Sequence, residues 1–209
     1  MSSESQILKR VPGRKRDEDT RHGILRAAYD LIVEKGFRAL TMEDVSDRSR
    51  ASRSTIYRWW PNKGALATEA YLRELAEETA PDSYGTASEE LKANMRTLTH
   101  ALAGTSGQVL ASLLGGARDD PHVLAMCRGM AQGSRRERGR ECIRRGIANG
   151  EFRPDLDLDA ALDALFLPIF VRVLLNLGRC DDEWVDTHAS TVMRGMIPNA
   201  ERAAAEAPR

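Results

Sequence analysis

Apolar residues recur at helical spacing along most of this 209-residue chain. Ile24, Leu25, Ala28, Leu31 and Ile32 form an i, i+3/i+4, i+7 stripe, which predicts a helix over about 20–35. Gly36 ends it, and Phe37 packs back on the last turn. Thr41, with Asp44 three residues on, reads as a capping box that opens a second helix with Met42 and Val45 turned inward. The pattern breaks near Ser49 and Arg50 and restarts at Ser52, another good N-cap. This third helix stops at Trp59 or Trp60, because the residue before Pro61 avoids helical geometry. Two short helices joined by a turn of three or four residues read as helix-turn-helix. Asn62 then caps a fourth helix from Lys63 to about Glu78.

Beyond a loop around Pro81 and Gly85, Thr86 and Glu89 open a helix to about Ala103, with Leu91, Met95, Leu98 and Leu102 on one stripe. Gly104 and Gly107 break it, and a short helix carrying Val109, Leu110, Leu113 and Leu114 follows. Asp120-Pro121 starts a helix over about 122–148, with Val123, Met126, Met130, Cys142, Ile143 and Ile147 inward. The segment 158–178 is apolar on more than one face, so it needs cover on all sides, and Pro168 should kink it. A last helix spans about 182–196, and the final dozen residues read as frayed. The expectation is an all-α protein of about nine helices: a three-helix head with a basic arm over residues 1–65, and a helical body over 66–209, which the family resemblance given below implies is a ligand-binding and dimerisation domain. A second subunit is the natural cover for the oily helix, through Leu165, Ile169, Arg172, Val173, Trp184 and Met193. Arg172 on that helix must find a carboxylate or carbonyls.

The third helix carries the chemistry. Ile56 and Trp60 face the core, which leaves Arg53, Ser54, Tyr57 and Arg58 outward. Cation, hydroxyl and phenol in that arrangement suit phosphate oxygens and base edges, although a solvated helix with incidental basic residues has the same pattern. Ser52 also leaves free amides at the positive end of the helix.

Residues 24–63 resemble the DNA-binding region of the tetracycline-repressor (TetR) family of bacterial transcription regulators. The resemblance rests on ILRAAYDLIVEKGF (24–37), Thr41, Ser52-x-x-Thr55-Ile56-Tyr57, and Trp60-Pro61-Asn62-Lys63 followed by Leu66. It implies an all-helical dimer with a ligand-sensing body. By the same resemblance Thr41, Thr55, Tyr57 and Lys63 touch phosphates, while Arg53, Ser54 and Arg58 face the groove. The turn departs from the family's Ala-Gly-Val-Ser: here it is Ser49-Arg50-Ala51-Ser52. An arginine at the glycine position costs about 1 kcal/mol in a left-handed turn. Either the turn is reshaped, or Arg50 is kept for a phosphate contact; we favour the contact. FLPIFVRVLL (166–175) is a weaker match to the dimerising region of some such regulators.

Charge refines this picture. The totals cancel at 31 basic and 31 acidic residues, yet residues 1–65 are net +5 and the remainder net −5. A basic head on an acidic body is expected if one end meets a polyanion. Residues 1–19 read either as a solubilising tail or as an arm that reaches the minor groove. The arginines at 135–145 read as a solvated face partly paired with Glu137 and Glu141, rather than as a second nucleic-acid surface. Cys127, Cys142 and Cys180 have no C-x-x-C pairing, so neither a disulfide framework nor a zinc site is expected; Cys142, among arginines, is the candidate for redox chemistry. His22, His100, His122 and His188 lack ligand spacing. No phosphate loop or nucleophile elbow is present, and no cofactor, metal or catalytic residue is expected. The charges within 158–177 argue against a membrane span, and the absence of an apolar h-region points to the cytoplasm.

These readings predict a homodimeric, ligand-responsive repressor of a palindromic operator, released by a small, mostly apolar effector. The DNA contacts would be Thr41, Arg50, Arg53, Ser54, Thr55, Tyr57, Arg58 and Lys63. The pocket would lie among Met95, Leu98, Leu102, Leu110, Leu114, Met126, Met130 and Phe166. The alternative is an all-α ligand-binding or scaffold protein whose head no longer binds DNA.

Overall fold

The computed structural model describes residues 12–79, 85–116, 121–125 and 134–198. Among these there are helices and no strands: α1 (Pro12–Ala39), α2 (Met42–Ser49), α3 (Arg53–Trp59), α4 (Lys63–Glu78), α5 (Ala87–Ala103), α6 (Thr105–Gly116), a helical stretch at 121–125, α7 (Ser134–Ala148), α8 (Leu158–Leu175) and α9 (Asp182–Arg194). The first helix starts earlier than its apolar stripe and includes residues 12–19, so that half of the expected arm is helical; the other half lies outside the described residues. Helix formation there needs no apolar face, and Pro12 sits in the N-terminal turn, where its missing N–H costs nothing. Gly36 (φ 79, ψ 160) is non-helical and divides α1 into two helical pieces at a kink, so the long piece ends where the sequence placed its end. Phe37 beyond the kink is buried.

Capping follows the sequence closely. Thr41 and Asp44 close a reciprocal capping box on α2, Ser52 accepts from the Thr55 amide at 3.2 Å, and Asn62 accepts from the Ala65 amide at 2.9 Å. Thr86 and Glu89 form the same box on α5. Asp157 and Asp181 cap α8 and α9.

One apolar core runs through head and body. Ile24, Val45, Ile56, Trp60 and Leu66 fill the head, and Leu91, Met95, Leu98, Leu113, Ile143, Phe152, Leu165 and Val185 fill the body. Polar bonds join the two: Phe37 N donates to Ser112 Oγ at 2.9 Å, Arg38 to the Gly115 carbonyl at 3.1 Å, and Tyr29 Oη lies 3.1 Å from Ser106 Oγ, which donates to Glu78 at 2.7 Å. The head is therefore tied to α6 as well as continued into α4.

Pro168 has no N–H, which orphans the carbonyl four residues back. His188 fills that gap, its Nε2 lying 3.0 Å from the Ala164 carbonyl oxygen. Its ring stacks on Trp184 with centroids 4.9 Å apart. Arg172 also lies over the same indole at 4.7 Å and donates to the Arg179 carbonyl at 3.1 Å. Its charge is thus met by carbonyl and aromatic partners, not by a carboxylate.

The residues expected at a dimer face are largely covered by the chain itself. Leu165, Ile169 and Met193 are buried within the chain's own core, and Val173, Trp184 and Arg172 are partly covered. The apolar stripe left open on α8 is Leu167, Val171 and Leu175, each about half exposed or more (53%, 46% and 65%). A helix apolar all round offers no periodicity from which to choose the inward face.

Candidate nucleic-acid interface

The helix-turn-helix is built from α2 and α3 packed on α1. Val45 and Ile56 are wholly buried and fix the pair against the core. The turn keeps its left-handed geometry with an arginine in it: Arg50 sits at φ 57, ψ 21. Ser46 Oγ donates to the Ala51 carbonyl at 2.7 Å, and Ala51 N to Ser49 Oγ at 3.3 Å. These local bonds hold the turn, so the glycine-to-arginine departure leaves its path intact. The Arg50 side chain is exposed.

On α3, Arg53, Ser54, Tyr57 and Arg58 all point outward, Tyr57 at 51% exposure, and Thr55 is partly buried. Arg53 pairs with Glu43 across the turn. Arg58 bonds Asp17 of α1 at 3.2 Å and stacks over Trp59 at 4.8 Å. Both ion pairs are solvent-exposed and therefore cheap to exchange. The sequence reading missed these acids, since a contact 41 residues distant (Asp17 with Arg58) leaves no local signal. Ser54 and Thr55 hydroxyls lie 2.9 and 2.8 Å from Ser52 Oγ. Thr41 spends its hydroxyl on Asp44, whose carboxyl is held down at about 2 by hydrogen bonds from Lys35 and then Thr41.

Lys63 is placed differently from expectation. Its ammonium donates to three carbonyls, Phe37 at 3.3 Å, Arg38 at 3.0 Å and Leu40 at 3.1 Å, and sits 5.0 Å from the Phe37 ring centroid. All three N–H groups are used. This lysine clamps the end of α1 to the start of α4, so a phosphate at its ammonium would have to compete with these carbonyls.

The expected effector residues divide. Met95, Leu98, Leu102 and Leu110 are buried core, Leu114 and Phe166 are partly covered, and Met126 and Met130 lie outside the described residues. A groove of about 420 Å³ opens elsewhere, between Glu78, Thr97, His100, Ala101, Gly104 and Thr105, and is polar. The basic helix α7 is largely neutralised: Arg136 binds Asp159 and Asp163, Arg140 and Arg144 share Glu137, and Arg145 binds Glu90. Cys142 is buried, which pushes its thiol up to about 12 and removes it as a redox centre. Among the described residues no His/Cys/Asp/Glu group could hold a metal ion, and no helix is long and apolar enough to cross a membrane.

A helix-turn-helix with a basic, hydroxyl- and phenol-bearing second helix, mounted on an all-helical body, defines a DNA-binding transcription regulator. Family models agree along the chain: "Bacterial regulatory proteins, tetR family" matches residues 24–70, and "Tetracyclin repressor-like, C-terminal domain" matches 80–192. The chain belongs to the TetR family of transcriptional regulators. It is 31% identical to YdeS of Bacillus subtilis (strain 168), named as an uncharacterized HTH-type transcriptional regulator, over 88% of this chain and 93% of that one. The crystal structure of the TetR family regulator SCO0332 superposes with a TM-score of 0.73 at 30% identity, covering 86% of this chain and all of that one. The structure of RolR in complex with resorcinol shares the fold, with a TM-score of 0.62 at 19% identity, over 93% of this chain and 97% of that one.

Proposed function

We propose that this regulator is a repressor that binds a palindromic operator as a homodimer and releases it when a small effector enters the body. Residues 1–65 would act as the reading head and 66–209 as the sensing and pairing body. Arg53, Ser54 and Arg58 would read the major groove, with Tyr57, Thr55, Thr41 and Arg50 on the backbone. The observation that carries the reading is the outward row on α3, whose two arginines are paired with exposed acids. DNA would displace Glu43 and Asp17 at little cost.

Two heads set about one helical turn of DNA apart, roughly 34–36 Å or a multiple of it, would engage successive major grooves. The open Leu167, Val171 and Leu175 stripe supports pairing of two chains through α8. The ties from α6 to Phe37 and Arg38 support coupling, because an effector that shifts α6 must carry the head with it. The RolR complex supports a small-molecule effector, and the leucine- and methionine-rich core of the body supports one that is largely apolar.

Gel shift against an operator-sized palindrome at increasing salt tests the reading. Affinity should fall steeply with salt, and Arg53→Ala should narrow the gap between operator and unrelated DNA. Salt-insensitive or absent binding would instead favour a helical ligand-binding protein.

A further inference from the structure

The arginines of α7 are not alike. Arg136, Arg140, Arg144 and Arg145 each meet at least one carboxylate at 2.5–3.1 Å. Arg135, partly buried at the start of the helix, meets none among the described residues. Its hydrogen bond runs from Nη1 to Thr79 Oγ1, 2.7 Å away, at the end of α4. Thr79 is buried, and its hydroxyl proton goes to the Leu75 carbonyl, so it can only accept from Arg135. The wholly buried Tyr71, two turns back on α4, is close enough for its phenol to act electrostatically on the guanidinium.

A guanidinium carries five N–H donors, of which one is used here. Loss of water pulls its pKa down to about 10, and the nearby Arg138 charge pulls the same way. The group still carries its full charge at neutral pH, so among the described residues this partly desolvated cation has no counter-charge. Such a charge is costly unless something else neutralises it. The two flanking helices matter for function: α4 begins with the lysine clamp of the head, and α7 packs on α5 and α8.

We propose that Arg135, with Thr79 and Tyr71, is the anchor for the acidic group of the effector, which is a small aromatic or aliphatic molecule bearing a carboxylate or phosphate. This rests on the effector-responsive reading above and narrows it: the apolar part of the molecule meets the body's hydrocarbon, and its anionic end supplies the missing counter-charge. The planar fork of arginine pairs with such groups through two parallel bonds. An anion held there ties the end of α4 to the start of α7, and α4 leads directly back to the head.

The test uses the full-length protein and Arg135→Met, which keeps the aliphatic bulk and removes the charge. Thermal unfolding without additive comes first: the variant should melt at or above the wild-type temperature. A clear fall would show that Arg135 is a structural tie and overturn the proposal. Benzoate, inorganic phosphate and the uncharged benzamide are then titrated against both proteins. Benzoate or phosphate should stabilise the wild type saturably, benzamide should not, and Arg135→Met should weaken the response at least about tenfold. Benzoate against phosphate distinguishes the two kinds of acid. No anion response in the wild type, or an equal one in the variant, overturns the site. A gel shift with the same anion keeps the two readings apart: saturable binding that depends on Arg135 but leaves DNA affinity unchanged upholds the anchor and refutes effector release.

Discussion

At the scale of single residues, Lys63 shows how a side chain can be legible in kind and illegible in role. Its place at the start of α4 followed from Asn62 and Pro61, and the family resemblance assigns it to a phosphate. The fold instead spends its three N–H groups on carbonyls at the end of α1. Lys63→Met should therefore lower stability by about 1–3 kcal/mol, read as a drop in melting temperature before any change in DNA affinity of the folded protein. Asp44 makes a second residue-level prediction. Its carboxyl is depressed to about 2, so the stabilisation it provides is complete above about pH 4, the unfolded value, and is lost as pH falls toward 2. Asp44→Asn should flatten the acid limb of an unfolding profile in that window. Arg50 keeps the left-handed geometry, the second of the two outcomes left open for the turn, and that geometry was legible only through the family's glycine at this position, since arginine itself has no such preference. What no local pattern carries is the partner 41 residues away, such as Asp17 on Arg58.

At the scale of elements, caps and breakers made most helices readable: Thr41, Ser52, Asn62, Thr86 and Asp181 all cap where their residue types say they should. The early start of α1 was missed because the apolar stripe begins only at Ile24, whereas a helix can extend a turn or more into solvent. The inward face of α8 was missed because both of its faces are oily. Glycines at helix contacts are a subtler case. A methyl group on Gly107 would collide with the backbone carbonyl of Leu102, which cannot swing aside as a side chain can. Gly107→Ala should separate α5 from α6 and cost about 3 kcal/mol or more, measured by denaturant unfolding. Gly115, with open space around its Cα, should accept alanine without that loss.

At the scale of the whole molecule, the open stripe on α8 sets an expectation for assembly. Val171→Glu places a charge amid Leu167 and Leu175 without touching the buried core. Sedimentation should report a monomer with an unchanged helical spectrum, and operator affinity should fall by orders of magnitude because one head alone makes half the contacts. An unchanged dimer would move the interface elsewhere.

The bonds from Ser112 and Gly115 to the two residues beyond the kink of α1 have a mechanical consequence. They fasten the tip at two points, like the arm of a calliper pinned both at its pivot and along its shaft. In the proposed pair of chains, tips held this way would not swivel singly; they would open or close only as the frame between them bends. The gauge of such an instrument would then be set by its frame.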